Sequence, residues 1–239
     1  MSKGRGACRG RVFGQDERQA GADVMPVGVL SHARWGHVWG MKRRMFTCLT
    51  AAAFAAPVFG QSNADLSLLS DYINGIDTAQ GQFRQLNADQ TVLSGRYWID
   101  RPGLMRFQYD GENPAVIIAD GTWLGVVDPV PGTSTQRYPL GRTPLKLLLE
   151  RNLRLEREEI VQAVEQREGH LVVTARDPDQ PEIGTLAMVF REDPLALTEW
   201  VTVDQIGRTT IVELQSMQRG MPLERSLFSI EQAEFNRDR

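Results

Sequence analysis

Beyond residue 60, few side chains in this sequence could do covalent chemistry. Histidine occurs once there, as His170 in the turn-like stretch "REGH", and cysteine not at all, since Cys8 and Cys48 both come earlier. A Ser-His-Asp hydrolase would need His170 as its base, and no Gly-x-Ser-x-Gly elbow accompanies it. No HExxH or cysteine cluster offers a transition-metal site. Glu158 and Glu159 fall in a charge-dense run, the pattern of a solvated face, and no glycine-rich phosphate loop is present. The expectation is a protein without catalytic residues, cofactor or metal, with His170 at the surface. The residue that draws attention is Arg101. In "RYWIDRPGLMRFQYD" (96–110) it stands at an Arg-Pro-Gly hinge between two apolar, strand-like stretches. It could cap a hairpin, pair with Asp100 or Asp110, or hold an element that has to move.

The elements around this arginine follow from periodicity. In "ADLSLLSDYINGI" (64–76), Leu66, Leu69, Tyr72, Ile73 and Ile76 recur at three- and four-residue spacing, which predicts a helix. "TAQGQFRQL", "TVLSGRYWI", "LMRFQY", "AVIIAD", "WLGVV" and "STQRYPL" alternate like strands, with the Asp120-Gly121 pair as a hairpin signal. Only turns separate these six segments, so the sheet should be antiparallel. The series breaks at "TPLKLLLERN" (143–152), where Thr143 can cap and Pro144 suits a first helical turn. Residues 151–159 read as a further turn of helix or a linker. Strands then resume as "HLVVTAR", "GTLAMVFR", "LTEWVTVD", "TTIVELQSMQ" and "LFSIE", and the tail "NRDR" reads as frayed.

Charge divides the chain. Residues 1–60 carry nine Lys/Arg against three Asp/Glu, whereas residues 61–239 carry 18 against 27. An acidic body lacks the basic footprint of a nucleic-acid binder. Residues 41–60, "MKRRMFTCLTAAAFAAPVFG", have the basic start, short apolar run and small closing residues of a signal peptide. Residues 1–40 read as a disordered upstream extension, and residues 61–239 as one exported domain. Cys48 lies too early in the apolar run to be a lipid-modified N-terminus.

Several strands carry large apolar groups on both faces. Tyr97 and Ile99 point opposite to Trp98, and adjacent Trp123 and Leu124 oppose each other, as do Trp200 and Val201. Such a sheet must be covered on both sides or line a cavity. Packing under the helices and a curved sheet holding a hydrophobic ligand both satisfy this pattern.

Gly95, Trp98, Arg101, Pro102 and Leu104, in the order Gly-x-x-Trp-x-x-Arg-Pro-x-Leu, together with "GQFRQ", "IIADGTWLGVVDP" and "TPLKLLLERN", resemble the LolA-type outer-membrane lipoprotein carriers. The resemblance covers residues 64–155, and the later strands fit by pattern alone. It implies a mainly β (α+β) fold, a curved antiparallel sheet forming an incomplete β-barrel closed by a short-helix lid over a hydrophobic cavity. It also implies a monomeric periplasmic carrier that receives acylated lipoproteins from an inner-membrane ABC-type extractor and passes them to an outer-membrane acceptor. A carrier or sensor of another lipid or glycolipid is the alternative. Arg101 matches the family arginine that ties the lid shut. Phe83, Tyr97, Trp98, Met105, Phe107 and Trp123 on strands, with Leu66, Leu69, Leu145, Leu147, Leu148 and Leu149 on the lid, are the expected acyl-chain lining. The strongly acidic body departs from the family pattern.

Overall fold

The computed structural model describes residues 63–111 and 114–239, so the expected extension and signal peptide lie outside the described residues. Helix α1 (Asn63–Asn74) comes first, with Asp65 in its first turn where the helix dipole favours a carboxylate. Six strands follow: β1 (Thr78–Leu86), β2 (Val92–Asp100), β3 (Leu104–Tyr109), β4 (Val116–Asp120), β5 (Trp123–Val127) and β6 (Gln136–Pro139). The short helix α2 (Leu145–Leu149) interrupts them. Then come β7 (Val161–Arg167), β8 (His170–Ala175), β9 (Gly184–Glu192), β10 (Leu195–Asp204), β11 (Thr209–Leu214), β12 (Gln218–Arg219) and helix α3 (Ile230–Arg237).

All twelve strands join one antiparallel sheet in the order β6-β5-β4-β3-β2-β1-β11-β10-β9-β8-β7, with β12 also pairing with β1. Strands β6 and β7 are the two edges and do not pair, so the barrel stays incomplete. The β4–β5 turn uses the Asp-Gly pair as expected. Gly121 has φ +98, and Asp120 Oδ1 accepts from the Thr122 and Trp123 N–H groups at 2.8 and 2.7 Å.

Alternation gives each strand an inner and an outer face. On the inner face, Phe83, Tyr97, Met105, Phe107, Leu186, Met188, Phe190 and Trp200 form one buried cluster with Leu66, Leu69 and Ile73 of α1 and Leu147–Leu149 of α2. The close approach of strands here depends on Gly95, opposite Phe83 on β1 and Tyr109 on β3. A Cβ at Gly95 would sit 2.1 Å from the Gln108 carbonyl oxygen and 2.9 Å from the Phe83 ring. Gly95→Ala is therefore expected to cost about 3 kcal/mol through overpacking, read as a lower urea midpoint. An unchanged midpoint would mean that the strands part without cost.

Three local expectations are corrected. Residues 161–167, for which the sequence reading names no strand, form edge strand β7. Its polar, weakly buried positions show no clear alternation. Residues 151–159 form turns, the linker of the two alternatives left open by the sequence. Thr143 does not cap α2: its hydroxyl donates to the Leu140 carbonyl at 2.9 Å, and Pro144 holds the cap position. "LFSIE" is not a strand. It is the end of a 3-10 turn (Arg225–Phe228) followed by α3, which takes in the first two residues of the tail expected to fray and ends at Arg237. Ser229 Oγ accepts from the Gln232 N–H at 3.0 Å, half of a Ser-x-x-Gln capping box that the sequence displays. Helix α3 lies on the outer face, where Ile230 and Ala233 pack on Val116, Ile118 and Val127.

Candidate functional site

Besides the buried apolar cluster, side-chain polar groups fasten the covering helices to each other and to the sheet. Arg101 follows β2 directly, and its Nη1 donates to the Ile73 carbonyl at the end of α1. Its Nη2 donates to the Glu150 carbonyl just past α2, and to Asn74 Oδ1 at 3.3 Å. These carbonyls belong to helix ends, where no intrahelical donor reaches them. The planar fork of a guanidinium can serve two of them at once. No ion pair joins Arg101 to Asp100 or Asp110 among the described residues. Burial pushes the guanidinium below its ordinary value, against the opposing pull of Asp77 and Glu150. Nearby, the Gly103 N–H donates to the Leu149 carbonyl at 3.0 Å.

Two further polar residues of α1 complete the fastening. Asn74 Nδ2 donates to the Leu153 carbonyl at 2.8 Å, while its Oδ1 accepts from the Leu153 N–H at 3.0 Å. Ser70 Oγ accepts from the Leu155 N–H at 2.8 Å. Sequence reasoning missed both. The available signal was their spacing of four, beside the apolar stripe of α1. Tyr72 ties the same helix to β10 and β12: its hydroxyl accepts from the Leu197 N–H at 3.2 Å, and Arg219 lies 5.2 Å above its ring.

On α2, Lys146 Nζ donates to Asp177 Oδ2 at 2.5 Å, and the Asp177 side chain is only 4% exposed. Burial pushes the Asp177 carboxyl up. The hydrogen bonds from Lys146 and the Asp179 N–H outweigh it, leaving the group below the ordinary aspartate range. A depressed carboxylate stabilises the fold above its unfolded pKa, about 4, and that contribution disappears as pH falls through the lower folded value. Asp177→Asn is expected to lower stability by about 2 kcal/mol at pH 7. In denaturant titrations the gap to the unmodified protein should close below about pH 4. A gap that persists in acid would mean the ion pair is not its source.

The expected lining divides by face. Phe83, Tyr97, Met105 and Phe107 are buried on the inner face, and Leu66, Leu69, Leu147, Leu148 and Leu149 are buried against it, with Leu145 half-buried at its margin. The aromatic rings interlock: Phe83 and Phe107 stand edge to face at 4.6 Å, and Tyr97 stacks on Phe107 at 5.9 Å. Burial raises the Tyr97 phenol well above its ordinary value, and its hydroxyl donates to the Ser216 carbonyl at 2.9 Å.

Trp98 and Trp123 do not join this group. Trp98 alternates with buried Tyr97 and Ile99 and so lies on the outer face, half-buried beneath Arg96 at 5.8 Å. Trp123 is 40% exposed, because β5 turns Leu124 inward instead. The tryptophan that does belong inside is Trp200, 2% exposed and edge-on to Phe107 at 5.9 Å.

An apolar void of about 20 Å³ lies between sheet and helices, bordered by Ile73, Ile99, Arg101, Leu148 and Trp200. A site for a drug-sized ligand takes about 300–1,000 Å³. A long apolar ligand entering there must therefore displace the cover, and the void lies beside Arg101.

A family model described as outer membrane lipoprotein carrier protein LolA matches residues 74–231. The chain is similar to the outer-membrane lipoprotein carrier protein of Halorhodospira halophila, 30% identical over 200 residues that cover 80% of this chain and 93% of the relative. The protein of the same description from Alkalilimnicola ehrlichii is 26% identical over 195 residues, covering 78% and 88%. A solved structure of a LolA superfamily protein from Nitrosomonas europaea aligns with a TM-score of 0.39 at 10% identity, covering 70% of this chain and 98% of that one. The family match runs from the end of α1, through every strand of the sheet, into the start of α3, and the chain belongs to the LolA family of outer membrane lipoprotein carrier proteins.

Proposed function

We propose that this chain is a non-enzymatic periplasmic carrier. It takes up the acyl chains of lipoproteins leaving the inner membrane and delivers them to the outer membrane. The observation that supports this most is the construction of the cover. A continuous apolar inner face is closed by two helices whose ends are gathered onto one arginine. Each buried CH₂ contributes about 0.8 kcal/mol, so an acylated protein cannot cross water with its chains exposed. A carrier must offer matching apolar surface and still be able to give it up. With the helices shut, that surface satisfies itself and the empty protein does not aggregate. With them displaced, the same residues would receive acyl chains.

In this reading Arg101 is the latch. Phe83, Tyr97, Met105, Phe107 and Trp200, with the leucines of α1 and α2, form the receiving surface. The donor would be an ABC-type extractor and the recipient an outer-membrane acceptor, with the carrier monomeric between them. The test is recovery of the protein from spheroplast supernatant, with mass spectrometry of what it holds. Lipoproteins with intact acyl chains are the expected cargo. Free lipid or glycolipid alone would overturn the lipoprotein assignment.

A further inference from the structure

A cavity lies on the opposite side of the sheet from the proposed acyl-chain surface. It measures about 360 Å³ and lies between the outer faces of β3, β4 and β5 and the inner side of α3. Its apolar wall is Val116, Val127 and Ala233, and its polar wall includes Arg106, Gln108 and Asn236.

Arg106 is the unusual member. It projects from the outer face of β3, half-buried beneath the segment that leads into α3. Its Nη1 donates to the Leu227 carbonyl at 3.0 Å and its Nη2 to Gln108 Oε1 at 3.2 Å, both neutral acceptors. Its Nε is enclosed and has no partner among the described residues. Burial holds the guanidinium below its ordinary value, and among the described residues no carboxylate offsets this. The second cation at the cavity, Arg237, is already matched: its Nε lies 2.7 Å from Asp238 Oδ1. Asp128, the acid on the cavity wall, accepts from the Val130 N–H at 2.8 Å.

A cation removed from water is stable when a negative partner faces it. Among the described residues no carboxylate is paired with Arg106, and beside the cation lies a cavity of small-molecule size with one apolar wall. We propose that this cavity binds a small molecule carrying one carboxylate or phosphate and a short apolar body. The anion sits on Arg106, and the body lies along Val116, Val127 and Ala233. The ligand is too small, and the site too far round the sheet, for this to depend on the carrier reading.

The full chain, labelled with ¹⁵N, would be titrated with hexyl phosphate, hexanoate and inorganic phosphate while the arginine Nε–Hε signals are followed. Hexyl phosphate should shift the Arg106 signal saturably, at a Kd of about 1 mM or below. Inorganic phosphate should bind more weakly, for want of the apolar body. Arg106→Gln should weaken binding about tenfold or more, as expected for losing a charge-assisted hydrogen bond, with Arg106→Lys between. If Arg106→Gln fails to fold, the shifts in the unmodified chain still decide. No shift of Arg106, or shifts confined to inner-face residues such as Leu148 and Trp200, would overturn the proposal. Vesicles separate the sources of the anion. Sedimentation with phosphatidylglycerol but not phosphatidylcholine vesicles, reversed by hexyl phosphate, identifies a lipid headgroup. Binding of the soluble probe alone identifies a free small molecule.

Discussion

Arg101→Leu is expected to leave the protein able to take up acylated cargo while slowing its transfer about 30-fold. The figure follows from the bonds lost. The guanidinium serves the Ile73 and Glu150 carbonyls and touches Asn74. Ile73 keeps a second donor, the Ile76 N–H at 3.1 Å. The Glu150 carbonyl loses the donor that the latch supplied. Leaving a buried acceptor unpaired costs about 1–3 kcal/mol, which moves the closed-to-open balance by one to two powers of ten. Leucine also removes the desolvation penalty of a half-buried cation, so global stability should fall by less than the hydrogen bonds alone suggest. In the proposed latch reading, closure returns the inner face to its own side chains and expels cargo, so a weakened closed state should retain cargo. The measurement is transfer of acylated protein from purified carrier to outer-membrane vesicles. Arg101→Lys should recover only part of the rate, since a point cation cannot span both carbonyls. Normal transfer by Arg101→Leu would remove the latch role.

Trp200→Ala should have the largest effect on stability and should also expose the acyl-binding capacity of the interior. Its side chain is 2% exposed, meets Phe107 edge-on and borders the small void. Truncation of a buried tryptophan costs about 3–5 kcal/mol. The space it leaves would merge with a void already lined by Ile73, Ile76, Ile99, Leu148, Leu197 and Met217. An apolar cavity of that kind stays dry and accepts apolar guests. A soluble decyl-chain probe should therefore raise the variant's denaturation midpoint with a logarithmic dependence on concentration. The unmodified protein should respond less, because it must first displace its helices. A midpoint equal to the parent's would mean Trp200 is not packed as observed. A variant indifferent to the probe would count against the inner face as an acyl-chain surface.

Much of the fold was readable from period and turn chemistry. "TAQGQFRQL" and "LMRFQY" coincide with β1 and β3, because one face of each is buried and the other is not. The stretch that became β7 was not readable, since an edge strand buries too little to force alternation. "LFSIE" was misread for a different reason. Its apolar residues are as frequent as in a strand, and only the Ser229 and Gln232 capping pair marks a helix start. Among the site residues, the leucines of α1 and α2 were legible from helical spacing. Trp98 and Trp123 were not, because a strand with apolar groups on both sides does not announce which side is inner. That choice was made by the elements covering each face: α1 and α2 on one, α3 on the other.

By itself the sequence determined most of the strands and the helices α1 and α2, that few residues beyond position 60 could support catalysis, and that Arg101 stands at a hinge between apolar stretches. Residue type and local period are enough for such properties. Tertiary structure alone decided what Arg101 grips, since its partners lie 28 and 49 residues away. It also decided that Asn74 and Ser70 share the fastening across separations of 79 and 85 residues, and that the void beside Arg101 is only about 20 Å³. The outer-face cation without a paired carboxylate among the described residues belongs here too, because Arg106 meets Leu227 only after the chain has crossed the whole sheet. A local pattern specifies which groups seek partners, but the partners are set by how distant segments close on one another.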